Sequence, residues 1–275
     1  MRIAGLDVAI IKKIAIVLAA GSGKRMNSTV AKQYMLLKGK PVLYYSLKVF
    51  ADSDIDEIII VTKENSIDYV QNEIVDKYNI NKVKAIVAGG KERYHSVYAG
   101  LKAVEYPPIK SNPMKKLKGE YIQESMNSRK QEIGEVDEAI YIYVHDGARP
   151  FVNQAILERI NDAITTNDAV IIGVPSKDTI KLVDGEGYVN DTPDRKFLWQ
   201  IQTPQIFSYK LISEAYERLI ENEELLLQQK ISITDDAMVV EKMMDEKVKV
   251  IMGDYRNIKI TTPEDFLIGE NYINE

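Results

Sequence analysis

The 275-residue chain contains no cysteine, which excludes disulfides, thiolate catalysis and cysteine-based zinc or iron–sulfur sites. Histidine is nearly absent as well: His95 and His145 are the whole complement, too few for a histidine-rich metal centre. Long apolar runs are missing. Stretches such as Ile58–Val61 and Ala169–Ile172 have the length of a strand and fall far short of the roughly 18–20 residues that cross a bilayer. Positive charge is not in excess, and a net charge of -5 does not suit a general nucleic-acid binder. An anionic small ligand must therefore be met by a local cluster of Lys and Arg, with or without a divalent cation. What remains, 45% hydrophobic and 28% charged residues, is the composition of a globular protein with room for one decorated α/β domain. Met1–Lys13 has one arginine, a short apolar run and two lysines but no secretory-signal core. It is expected to be an extension before the first strand, and the cytoplasm is the expected location.

Strand-length apolar segments alternate with amphipathic ones. Ile14–Leu18, Glu57–Thr62, Val83–Val87, Ile140–Val144 and Ala169–Val174 are rich in Ile and Val, the pattern of strands covered on both faces. Val42–Phe50, Ser66–Tyr78, Ser96–Val104 and Gln154–Thr166 carry apolar residues at helical spacing. The order predicts an open, mostly parallel sheet with helices on both faces and ligands beyond the carboxyl ends of its strands. The second half departs from alternation. Thr179–Val183, a turn at Asp184–Gly187 and Tyr188–Asn190 predict an exposed hairpin, either an arm for another subunit or a solvated one. Helices are predicted over Ser208–Asn222, Thr234–Met244 and from Pro263, with Thr262 as N-cap and Glu264 and Asp265 in the first turn. Tyr106–Glu138, polar and poor in apolar residues, predicts a long loop.

The first strand runs into Ala19-Ala20-Gly21-Ser22-Gly23-Lys24-Arg25-Met26, followed by Ala31-Lys32-Gln33-Tyr34. Small residues after a buried strand let backbone N–H groups cradle phosphate, and Arg25 and Lys32 add charge where a phosphoryl group becomes more negative. A plain βα turn explains the glycines alone about as well. Neither a Walker loop nor a Gly-x-Gly-x-x-Gly fingerprint is present. Asp146 follows the Ile140–Val144 strand, a position suited to a cation or a ribose hydroxyl. His145, beside it at the strand end, is expected to pack or to hold a neighbour.

The Leu18–Met26 segment resembles the signature of Rossmann-like nucleotidyltransferases that activate sugars and alditols. Ala31-Lys32-Gln33-Tyr34 narrows the resemblance to the alditol-phosphate cytidylyltransferase family. Further matches occur in that family's order: Gly89-Gly90-Lys91-Glu92-Arg93 with Ser96, His145–Pro150, Asp178-Thr179-Ile180-Lys181, Asp194-Arg195, Gln202-Thr203-Pro204-Gln205, Thr234-Asp235-Asp236 and Asn257–Thr261. The resemblance covers about Ile14 to Ile273, apart from the polar loop. Two departures stand out: Gly147, where many relatives carry alanine, and the length of the 106–138 loop.

The resemblance implies a Rossmann-like (GT-A-like) α/β nucleotidyltransferase fold with a mostly parallel sheet, helices on both faces and a protruding β-arm. It implies one domain over 14–275, with an insertion at about 106–138 and a dimerisation arm at about 176–200. The implied reaction joins CTP to 2-C-methyl-D-erythritol 4-phosphate in isoprenoid precursor synthesis. Ribitol 5-phosphate as acceptor for cell-wall polymers, and a non-catalytic nucleotide-binding regulator, are the alternatives. Arg25, Lys32 and Lys259 are the implied catalytic cations. Ala19, Ala20, Gly21, Ser22, Gly23, Gly90, Lys91, Ser96, Asp146 and Gly147 are the implied nucleotide contacts. Asp146, Arg149, Thr179, Arg195, Thr203 and Lys259 are the implied acceptor contacts. Mg²⁺ is implied as cofactor, held mainly by CTP phosphates with Asp146 beside it. A homodimer through the arm is expected, with no nucleic-acid or membrane partner.

Overall fold

The computed structural model describes residues 11–21, 30–105 and 139–273. Ser22, Gly23, Arg25 and the polar loop at 106–138 lie outside the described residues. From β1 (Ile11–Leu18) the chain passes through the short pair β2 (Leu36–Leu37) and β3 (Lys40–Pro41) into α1 (Val42–Ala51). Next come β4 (Glu57–Thr62), α2 (Ile67–Val70), β5 (Val83–Ala88) and α3 (Arg93–Lys102). They are followed by β6 (Ala139–Asp146), α4 (Gln154–Ile164), β7 (Ala169–Pro175), the arm strands β8 (Leu182–Val183) and β9 (Val189–Asp191), and β10 (Trp199–Ser208). The second half ends with α5 (Tyr209–Glu221), α6 (Glu223–Gln228), α7 (Asp236–Met244), β11 (Lys249–Met252) and α8 (Pro263–Ile273).

Seven strands form one sheet in the order β11-β7-β10-β6-β1-β4-β5. Its pairings are parallel except those of β10, which runs antiparallel to both β6 and β7. Alternation along each strand divides the core. Ala15, Val17, Ile58, Ile60, Tyr143 and Ile172 face one side, with Leu43, Leu47 and Phe50 of α1 and Ile156 and Ile160 of α4. Ile14, Ile16, Ile59, Val61, Ile142 and Val144 face the other, with Val97 of α3, Tyr216 of α5 and Val240 of α7. Both faces are buried, which is why these strands appear in the sequence as unbroken apolar runs.

Several expectations shift in register. β1 begins at Ile11, because Ile11–Lys13 pair with Ala139–Tyr141, so three residues assigned to the extension belong to the sheet. α3 starts at Arg93, three residues before the predicted Ser96. The single helix expected over Ser66–Tyr78 is α2 continued by a wider π-type stretch at Gln71–Asp76. The arm hairpin is shorter than expected: Leu182 pairs with Asp191 and Val183 with Val189. Its turn is held by Asp184, whose Oδ1 accepts from the N–H groups of Glu186 and Tyr188 at 2.9 Å. Gly187 sits there at φ +90, a conformation side chains oppose. α8 starts as predicted. Thr262 Oγ1 accepts from Asp265 N at 3.4 Å and Asp265 Oδ2 accepts from Thr262 N at 2.8 Å, a reciprocal cap. Four strands, the short pair β2 and β3 together with β10 and β11, have no counterpart in the expectations. No helix among the described residues is long and apolar enough to cross a membrane.

Candidate active site

After β1 the chain goes to β4 on one side of the sheet, while β6 flanks β1 on the other. The carboxyl end of β1 is thus a switch point, where open α/β sheets leave a crevice. A cleft of about 490 Å³ opens there. Ala20 and Gly21 line it after β1, Lys63 after β4, Gly89–Arg93 and Ser96 around the start of α3, and Asp146 and Ala148 at the end of β6. Lys32, Gln33 and Lys259 complete it.

The stem of the first loop is held from below. Ala19 N donates to Val61 O at 2.6 Å. Gln33, 2% exposed, donates from Nε2 to the carbonyls of Ala19 and Gly21, and the Tyr34 hydroxyl meets Thr62 Oγ1. Within Ala31-Lys32-Gln33-Tyr34, then, Gln33 and Tyr34 fix the loop while Lys32 reaches the cleft. Ala19 is 1% exposed and contributes to the stem, not to the wall. The second loop packs just as closely. A Cβ on Gly90 would stand 2.3 Å from His95 Cβ, and one on Gly89 2.6 Å from Ser96 Oγ, so the two glycines let this loop fold onto the start of α3.

Asp146 is the centre of the charge cluster. Its Oδ2 lies 2.8 Å from Lys259 Nζ and 3.9 Å from Arg149 Nε, and its Oδ1 lies 3.5 Å from Arg93 Nε. Burial alone would raise its pKa, but Arg93, Lys259 and Arg149 together hold it well below the usual carboxylate range. Arg93 also forms a two-pronged pair with Asp236, with Nη1–Oδ1 and Nη2–Oδ2 both 2.7 Å. Lys259 stands in the irregular segment between β11 and α8. The segment is tied down by the Ile260 N bond to Ala148 O at 2.8 Å and by Arg149 Nη1 donating to Asn257 O at 2.8 Å.

Beneath Asp146, a bulge in β10 sets Gln202–Pro204 against the single residue Ile172. This brings the Thr203 hydroxyl to the Asp146 N–H at 3.0 Å and to His145 Nδ1 at 3.1 Å. His145 Nε2 faces Arg149 O at 3.1 Å. A carbonyl only accepts, so Nε2 carries the proton and Nδ1 accepts from Thr203. Burial, the largest influence, pushes the His145 pKa down to about 4. The neutral imidazole thus ties together Asp146 and Arg149, the positioning role expected of it. Thr203 keeps one lone pair, which suits a substrate hydroxyl better than a phosphate oxygen.

The structure therefore gathers Ala20, Gly21, Lys32, Gly90, Lys91, Ser96, Asp146 and Lys259 in one cleft, with Arg149 and Thr203 against Asp146. It does not bring Gly147, Thr179 or Arg195 to the cleft wall. Gly147 turns toward the core, where a Cβ would meet Leu43 Cδ1 at 2.7 Å. Thr179 is on the exposed arm, and Arg195 Nη1 donates to Lys177 O at 3.0 Å. Lys63, Gln33 and Arg93 belong to the site but were not singled out from sequence. Arg93 stood in a recognised motif, yet its partner Asp236 is 143 residues away. For Mg²⁺ the cleft offers the buried carboxylate of Asp146, with the exposed Glu92 on its wall, and no group of three His, Cys, Asp or Glu that could hold a metal occurs among the described residues. One carboxylate plus substrate phosphates is a usual donor set for this ion.

The model of the family IspD, 2-C-methyl-D-erythritol 4-phosphate cytidylyltransferase, matches residues 13–108 and 119–275. The chain belongs to this family. A 2-C-methyl-D-erythritol 4-phosphate cytidylyltransferase from Lachnospira eligens is 46% identical over 256 residues, covering 93% of this chain and 96% of the relative. Its counterpart in Lachnoclostridium phytofermentans is 41% identical, covering 96% and 97%. Among solved structures, the 4-diphosphocytidyl-2C-methyl-D-erythritol synthase of Anaerococcus prevotii is similar at a TM-score of 0.71 and 33% identity, with 96% of both chains covered. The mostly parallel sheet with its flanking helices is therefore the family's α/β nucleotidyltransferase architecture.

Proposed function

We propose that the cleft transfers the cytidylyl group of CTP to 2-C-methyl-D-erythritol 4-phosphate. The observation that carries this is a switch-point cleft lined by Lys32, Lys63, Lys91, Arg93 and Lys259 together with the buried carboxylate of Asp146, in a member of this family. A phosphate oxygen of the acceptor attacks the α-phosphorus of CTP. The new P–O–P bond forms as the α–β bridging bond breaks, and pyrophosphate leaves with the electron pair. The acceptor is anionic near neutral pH, so the chain needs no activated nucleophile or general base. Its work is positioning and charge neutralisation. Arg25, Lys32 and Lys259 stabilise the crowded α-phosphorus. Ala20, Gly21, Ser22 and Gly23 follow the triphosphate on the stem built by Ala19. Gly90, Lys91 and Ser96 receive the base and ribose, with Gly147 supporting Asp146 from the core side.

Asp146, Arg149, Lys259 and Thr203 form the acceptor end. Thr179 and Arg195 complete it in a second copy through the arm at 176–200, making the chain a homodimer, of single domains that begin at Ile11, that works in the cytoplasm. Mg²⁺ bound to the CTP phosphates would be held by them and by Asp146, and would supply charge neutralisation of the departing pyrophosphate. The test is pyrophosphate release with CTP and Mg²⁺, comparing methylerythritol phosphate with ribitol phosphate. Preference for methylerythritol phosphate supports the reading. Preference for ribitol phosphate keeps the mechanism and changes the pathway, and CTP binding with no turnover would return the chain to a regulator.

A further inference from the structure

The Arg93 guanidinium is used on two edges. Its Nη1 and Nη2 grip Asp236 at 2.7 Å each, and its Nε faces Asp146 Oδ1 at 3.5 Å. Asp236 is fully buried, at the first turn of α7, and is fixed from two more elements. The Tyr216 hydroxyl of α5 donates to its Oδ1. Gln205 of β10 accepts from the Asp236 and Ala237 N–H groups at 3.0 and 2.9 Å through Oε1, while its Nε2 donates to Asp235 Oδ2 at 2.9 Å. A buried carboxylate that touches no cleft space needs a reason to be there, since burying charge is costly without full pairing.

We infer that Asp236, seated by Tyr216 and Gln205, is a positioning residue for CTP: it sets the plane of Arg93 and, through Arg93, both the nucleotide loop and Asp146. Arg93 is the first residue of α3, directly after Gly89–Glu92, so a fixed guanidinium anchors the loop that lines the cleft. The same contact leaves Nε for Asp146, whose other oxygen is then available to Lys259. Without Asp236 the Arg93 side chain is free to turn its outer edge toward Asp146 or a phosphate, and the Gly89–Ser96 wall loses its anchor. The inference rests on the reading of this cleft as a CTP site.

The experiment titrates CTP with Mg²⁺ calorimetrically into wild type, Tyr216→Phe, Asp236→Asn, Arg93→Ala and the Arg93→Ala/Asp236→Asn double variant. Thermal melts and pyrophosphate-release kinetics accompany it. Tyr216→Phe keeps the ring and removes one hydrogen bond, so it should stay folded and bind CTP roughly three-fold more weakly. Asp236→Asn should weaken CTP by about ten-fold or more and raise KM for CTP, with a smaller rise in KM for the acceptor because Asp146 also loses its fixed Arg93 contact. In the Arg93→Ala background Asp236→Asn should add nothing, because its effect runs through Arg93. Should Asp236→Asn fail to fold, Tyr216→Phe still decides. Wild-type CTP affinity in the folded variants overturns the inference, as does a fall in kcat that follows the folded fraction while neither KM moves. A wild type that does not bind CTP overturns the reading of the cleft itself, and the inference with it.

Discussion

Lys259 and Lys32 differ in what surrounds them. Lys259 holds Asp146 at 2.8 Å, so it both orders the site and supplies charge, whereas Lys32 lines the cleft beside the first loop. In the proposed mechanism both stabilise charge that grows in the transition state, and removing such a group typically costs two decades or so of rate. Lys32→Ala and Lys259→Ala should each lower kcat by roughly 100-fold, about 2.7 kcal/mol, with thermal midpoints within a few degrees of wild type. Near-normal turnover in either would remove it from the mechanism. Arg25→Ala should behave like Lys32→Ala. His145 gives a pH prediction. Its folded pKa of about 4 lies below the ordinary 6.5, so the neutral ring contributes stability that is complete above about pH 6.5 and lost as pH falls toward 4. The contribution is on the order of 3 kcal/mol. Asp146, held low instead, adds its own loss only below its unfolded pKa near 4. Unfolding free energies at pH 7 and 5 should differ less in His145→Gln than in wild type, and an unchanged slope would show that His145 is not the titrating group. Asp146 and Lys259 were legible from sequence because each sits in a short local motif. The double grip of Arg93 was not, because only the fold brings α3 and α7 together.

Strands reached the sequence reading when both faces were apolar. β1, β4, β6 and β7 show this as runs of Ile and Val, and were found within a few residues. β10 was not, because Trp199–Ser208 carries three glutamines and a proline. Around the bulge, Thr203 meets Asp146, Gln202 meets Asp254 and Gln205 meets the start of α7. The strand that braces the site is thus hidden by its own site residues. β11, only four residues long at the sheet edge, gave too short a pattern to be read. The loop between β5 and α3 makes its own prediction. Gly90→Ala forces a Cβ against His95 and must lift the loop or unwind the start of α3, so KM for CTP should rise by about ten-fold, measured by pyrophosphate release. An unchanged KM would mean that the loop has room which the packing does not show.

At the level of the whole molecule, the arm gathers several exposed apolar side chains on one short hairpin. Leu182, Val183, Tyr188, Val189 and Phe197 are between 52% and 74% exposed, more than a solvated hairpin needs. Its hairpin shape was legible in the Gly-containing turn. Its length was not, since pairing is confined to β8 and β9. If the arm completes a partner's site, a mixture of Lys32→Ala and Arg195→Ala chains should form hybrid dimers in which one site has both an intact Lys32 and an intact Arg195. Such mixtures should recover a fraction of wild-type turnover that neither parent shows, and a mixture as inactive as its parents would confine each site to one chain. The foot of the arm also holds Trp199, the only tryptophan in the sequence, paired with Pro175 and 38% exposed. The protein therefore carries a built-in optical reporter: its indole emission, excited beyond the absorption of its tyrosines, comes from one site where the arm leaves the sheet, and a blue shift with rising concentration would register that surface being covered without any added label.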